Sequence, residues 1–194
     1  MTYWDPIPTV RALVGRPHPL WRGDLEHDWS EPAPDGGWEG RDWRNVPGPF
    51  YTANTDNCCT GRQYAPRLVT YEDEELREFV FRQPVGAVEV QELVCAAECD
   101  PFAGYGGDGD LHWTPELVRD WWRERGGVQE WARRMGRSEW MLSDREHLRD
   151  AAVGARAYFT HLSQGLEAYL RDYMFWLAEG RPATSGDRLP VLDA

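Results

Sequence analysis

From Leu148 onward, apolar residues return at alternating intervals of four and three: Leu148, Ala152, Ala155, Phe159, Leu162, Leu166, Tyr169, Tyr173 and Trp176. That spacing predicts an amphipathic helix with a single seam. Ser143 with Glu146 three residues later reads as a capping box. Gly180, with Pro182 just beyond, reads as the stop. Unbroken, such a helix has about 37 residues and spans ~55 Å, more than a domain of this size. The pattern therefore requires a bend near Gly154 or Gly165, or a projecting helix whose seam pairs with a second copy as a homodimer zipper. Phe159, Leu162 and Leu166 are expected to be buried.

Three further segments carry a helical stripe. Val88 to Glu98 has apolar residues at 90, 93, 94 and 97. Thr114 caps the next helix, with Pro115 in its first position and Glu116 in its first turn. Leu117, Val118, Trp121 and Trp122 form that helix's apolar face, and Gly126-Gly127 is expected to break it. A short helix over Val128 to Met135 follows, with Val128, Trp131 and Met135 facing inward.

Residues 67–82 read as a β-hairpin. Leu68-Val69-Thr70-Tyr71 and Glu78-Phe79-Val80-Phe81 are rich in β-formers, and the link Glu72-Asp73-Glu74-Glu75-Leu76 is acidic and expected to be exposed. A shorter strand is expected near residues 50–53. Residues 100–110 read as a Gly-rich loop. Before residue 48, Pro recurs at 6, 8, 17, 19, 32, 34 and 47, which neither helices nor central strands tolerate. The expected architecture is α+β: a small antiparallel sheet with about four helices, the long C-terminal one among them. Residues 48–194 form the single domain. Residues 1–47 form an irregular arm, anchored on it through Trp21, Trp29, Trp38 and Trp43.

Composition narrows the chemistry. The chain contains no lysine; all 21 basic residues are arginine. P-loop phosphate binding and Schiff-base catalysis both need a lysine amine, so both are excluded. The net charge is −12, and it is unevenly spread. Residues 1–110 hold 20 acidic and 9 basic side chains, and residues 111–194 hold 13 and 12. An acidic field repels nucleic acid and anionic membranes and speeds encounter with basic partners. The first residues lack the basic and apolar regions of a signal peptide, and no stretch of about 18 apolar residues is present. These features lead us to expect a cytoplasmic protein, with no nucleic-acid or membrane partner and with its four Cys reduced.

Candidate sites are sparse. Cys58-Cys59 and Cys95-x3-Cys99 do not match the paired spacing of zinc or iron–sulfur sites, so no metal and no cofactor is expected. The loop Gly104 to His112 offers oxygens at alternate positions but lacks the bidentate Glu that completes a calcium loop. His112 and Glu116 stand one helical turn apart. Arg62, Arg67 and Arg82 lie near the expected sheet and could hold a carboxylate or phosphate. No Gly-x-Ser-x-Gly elbow is present, so whether the chain is an enzyme stays open.

The segments Gly48-Pro49-Phe50-Tyr51, Asp56-x-Cys58-x-Thr60-Gly61-Arg62-x3-Pro66, Glu78-Phe79-Val80-Phe81-Arg82-Gln83-Pro84, Asp100-Pro101-Phe102 and His112-Trp113-Thr114-Pro115-Glu116-Leu117-Val118-Arg119 resemble a family of small, mostly uncharacterised actinobacterial proteins. The resemblance runs from about residue 48 to 190. Some members carry a ferredoxin label, but this chain lacks the four-Cys spacing that label implies. In size and composition the chain is also similar to immunity proteins of bacterial toxin systems.

The leading expectation is an acidic protein-binding module for a basic partner, as in an immunity or antitoxin-type factor. Its surface would combine Glu72, Asp73, Glu74 and Glu75 with Trp21, Trp29, Trp38 and Trp43. One alternative is an enzyme or small-molecule binder with a pocket built from Arg62, Arg67, Arg82, His112 and Glu116. The other is a Cys-based metal or redox protein.

Overall fold

The computed structural model describes residues 2–16 and 37–193. The chain is mixed α+β, with two small antiparallel sheets of two strands each among the described residues. Helix α1 (Ile7–Leu13) lies within the N-terminal arm, which is therefore not wholly irregular. Strand β1 (Tyr51–Thr52) pairs with β4 (Tyr105–Gly106), inside the stretch expected to be a loop. Helix α2 (Gly61–Tyr64) precedes the hairpin of β2 (Val69–Tyr71) and β3 (Glu78–Val80), whose register places Thr70 opposite Phe79. Helices α3 (Ala87–Glu98), α4 (Pro115–Met135), α5 (Glu146–Ser163) and α6 (Leu166–Glu179) complete the order.

The hairpin separates two apolar clusters. Side chains alternate across a strand, so Phe79 and Phe81 face Trp131, Tyr158 and Leu162 of the α4–α6 layer. Val69 and Val80 face Leu93 and Val94 of α3 and Val10 of α1. Helix α5 crosses the hairpin closely at Gly154, where any added Cβ would collide with Thr70 and Arg62.

Sheets this short need help, and buried polar side chains supply it. The Asn45 carboxamide oxygen accepts from the backbone N–H of Thr52 (3.1 Å) and of Val80 (2.9 Å). Its Nδ2 donates to the carbonyls of Thr52 and Asp42 (2.8 Å each). Asn45 thus fills the place of a strand between β1 and β3. Gln83 does the same between Phe50 and Val46.

Three sequence expectations are corrected. Helix α4 runs unbroken through Gly126-Gly127. Each glycine costs about 1 kcal/mol of helix propensity, and burial of Val118, Trp122, Val128, Trp131 and Met135 along one face outweighs that. The residues Ser143 to Glu146 make no reciprocal capping box: the helix begins after Arg145, and the Ser143 hydroxyl accepts from the Arg145 N–H instead. Phe159 is 36 % exposed, while Leu162 and Leu166 are buried as expected. The long seam breaks at Gly165, whose φ of 102° suits glycine. Of the seam, Ala155, Leu162, Leu166 and Tyr173 are buried within the chain, with Tyr169 and Trp176 packed against the same cluster.

Candidate binding groove between residues 41–45 and helix α4

Trp38 begins a run of aromatic and arginine contacts. Its indole stacks on the His112 imidazole (centroids 4.7 Å, 15°) and meets Trp113 edge-on at 5.1 Å. The Arg41 guanidinium lies 3.9 Å from the Trp38 ring, and burial lowers its pKa below the ordinary arginine value. Asp42 folds back on Arg44, accepting its backbone N–H and its Nη1, both at 2.8 Å. Burial raises the Asp42 pKa, while Arg44 opposes the rise. Arg44 is buried, with its guanidinium 4.6 Å from Trp43 and 5.2 Å from Trp131.

Opposite this segment stands α4. Trp121 Nε1 donates to the Trp43 carbonyl at 3.3 Å, and the Trp43 ring passes over Gly127, where an added Cβ would meet it at an ordinary contact distance of 3.7 Å. Between the two walls is a groove of about 330 Å³. Trp43, Trp113 and Trp121 supply its aromatic lining, with Leu117 and Val128 between them, and Asp42, Asp120 and Glu124 its carboxylates. Trp43 is 51 % exposed, unusual for so large an apolar ring.

The acidic hairpin tip behaves differently from the exposed turn the sequence suggests. Glu72 is buried, and its carboxylate accepts backbone N–H groups from Glu74 (2.7 Å), Glu75 (2.8 Å) and Arg77 (2.9 Å). Asp73 accepts from Trp131 Nε1 at 2.6 Å and pairs with Arg134 at 2.7 Å. Glu74 and Glu75 are exposed, and Glu75 pairs with Arg77. The tip reaches the Trp-bearing segment through Trp131 and Arg44. Trp38 and Trp43 belong to the groove region; Trp21 and Trp29 lie outside the described residues.

The residues of the alternative pocket do not converge. Arg62 is buried and bridges Asp150 and the carbonyls of Pro66 and Val69. Arg67 and Arg82 pair with Glu89 and Glu92 of α3. Glu116 is exposed on α4 beside Arg119. His112 instead joins a hydrogen-bonded chain: its Nε2 is 3.0 Å from Asp108 Oδ2, and Asp108 Oδ1 accepts from Tyr51 OH at 2.7 Å. Asp108 is buried, and burial together with Asp108 raises the Tyr51 pKa.

Around Glu78 lies a second polar centre that sequence reasoning missed. Its carboxylate accepts from the Tyr105 hydroxyl and from the Gly61 N–H (2.6 Å). Burial pushes its pKa up to about 7, against these two donors. The thiols of Cys59 and Cys95 are each pushed up to about 12, chiefly by burial. All four cysteines are free. Among the described residues no group of three His, Cys, Asp or Glu is placed to hold a metal ion, and no helix is long and apolar enough to cross a membrane.

Comparisons with protein-family models, with curated proteins and with solved structures return no match.

Proposed function

We propose that the chain is a protein-binding module that captures a basic partner through the groove between residues 41–45 and α4. The observation that carries this reading is the meeting of three indoles with Asp42, Asp120 and Glu124 in one cavity. Tryptophan dominates binding hot spots, and three carboxylates against the one cation Arg41 favour a partner of positive charge. Neutralisation of a basic toxin is one form of this function, and it rests on composition alone. The test is titration with arrayed peptides of graded positive charge. Affinity should rise with charge, and it should be lost in a Trp43→Ala, Trp121→Ala double variant. Binding that ignores peptide charge would overturn the reading.

One observation favours a second reading, a small-molecule binder or enzyme: the chain Tyr51–Asp108–His112, in which a buried carboxylate orients a half-buried imidazole. Asp108→Asn separates the two. It should leave cationic-peptide binding intact and abolish any turnover that depends on His112.

A further inference from the structure

Resting on the binding reading above, we infer that the group the groove accepts is an arginine side chain of the partner, its guanidinium laid on an indole and donating in its own plane to the α4 carboxylates. The wall of the groove already contains this arrangement. Arg44 lies against Trp43 and Trp131 while Asp42 takes its Nη1 at 2.8 Å. Arg41 lies on Trp38 and Arg125 on Trp122, at 3.9 and 3.6 Å. Trp43 keeps half its surface exposed even with Arg44 beside it.

Two of the three components, an indole and carboxylates, recur toward α4. Asp120 and Glu124 are one helical turn apart and so share a face, next to Trp121. Asp120 pairs with Arg123, but both partners are more than half exposed, and such surface pairs contribute little and exchange readily. Glu124 makes no ion pair among the described residues. Arg41 also lines the groove. Its fixed positive charge disfavours a second cation at that end and directs one toward Asp120 and Glu124.

Arginine suits these walls better than lysine. A guanidinium is flat, weakly hydrated and able to stack while its N–H groups fork onto carboxylates, whereas an ammonium is a compact, strongly hydrated charge that loses more on leaving water.

The experiment uses the full chain and three peptides, identical but for a central arginine, lysine or citrulline, with neutral flanks. Calorimetry gives affinity, and the Trp121 indole N–H resonance reports the site, because that group spans the groove walls. The arginine peptide should bind at least about tenfold more tightly than the lysine peptide and shift the Trp121 signal, and the citrulline peptide should not bind. Glu124→Gln should weaken the arginine peptide several-fold with an unchanged melting temperature, and Asp120→Asn is the second variant. Lysine binding as well as arginine would overturn the arginine assignment while leaving the basic-partner reading intact. Equal binding of citrulline would show stacking without charge and overturn both the assignment and the basic-partner reading. No binding by either charged peptide would overturn both.

Discussion

Glu72 and Glu124 are both glutamates in an acidic chain, yet they stand in opposite circumstances. Glu72 is buried in the hairpin turn and accepts three backbone N–H groups. Glu124 stands on the rim of the groove, exposed and free of any ion pair among the described residues. The contrast extends beyond the pair. Asp56, Glu72, Glu78, Glu89, Asp100 and Asp108, all from the acid-rich half, are buried. Two of the three groove carboxylates come from α4, in the half whose charges nearly balance. Net charge along the sequence therefore does not locate the charged surface. Short sheets and tight turns consume carboxylates as hydrogen-bond acceptors, and those carboxylates are lost to steering.

The largest expected effect tests the structural side of this contrast. Glu72→Ala should cost about 2–3 kcal/mol in urea unfolding, because it strips an acceptor from three turn N–H groups. Glu124→Ala should change stability by less than about 0.5 kcal/mol. Similar losses in both would erase the distinction.

Next comes pH. Glu78 is held at about 7 by burial, above an ordinary glutamate value of about 4.3. Its folded state binds a proton more tightly than the unfolded chain does. Its contribution is thus fully present below pH ~4.3 and is lost as pH rises through 7. Asp110, also pushed up to about 7 by burial, acts in the same sense. His161 opposes them: burial and Arg82 lower it to about 4, so its contribution is present above pH ~6.5 and lost as pH falls. Two carboxyl groups outweigh one imidazole, so stability should fall by on the order of 2 kcal/mol from pH 5.5 to 8. Glu78→Gln should flatten that slope, and an unchanged slope would show that Glu78 titrates normally.

Gly126→Ala probes the groove wall. Nothing lies within 4 Å of its added Cβ, so the variant should gain about 0.5–1 kcal/mol through helix propensity. A loss would mean that α4 does not run straight through this point.

The smallest effect concerns Glu74 and Glu75, the exposed part of the tip. Replacing both with Gln should leave stability within about 0.5 kcal/mol and slow capture of a cationic peptide only a few-fold at low salt. Including Glu72 in that substitution would confuse steering with unfolding of the turn.

The parts of this fold that follow side-chain periodicity were legible in the sequence. The hairpin, α3 and the seam of α5 and α6 repeat apolar residues at strand or helix intervals, and length required a bend near Gly154 or Gly165 or a projecting helix, of which the structure takes Gly165. What stayed hidden depends on single polar residues acting at a distance. Strand β4 lies in a Gly-rich stretch and exists because Tyr105 pairs back to Thr52. The Glu78 centre joins residues from three separate segments, which no local pattern announces. Of the groove, Trp43, Trp121 and Leu117 were visible as aromatic or apolar positions. Asp120 and Glu124 lie one turn apart on the part of α4 that precedes the glycines, but that Val128 joins them in one cavity depends on α4 continuing through Gly126-Gly127, where propensity argued for a stop.

Asn45 carries a consequence for how the molecule opens. Its one amide oxygen holds the N–H groups of Thr52 and Val80, which belong to different sheets. Neither sheet can part from residue 45 without disturbing the anchor of the other. The amide protons of Thr52 and Val80 should therefore exchange with solvent through one shared opening, with the same protection and the same response to denaturant. In the Asn45→Ala variant the two should separate, each sheet then fraying on its own.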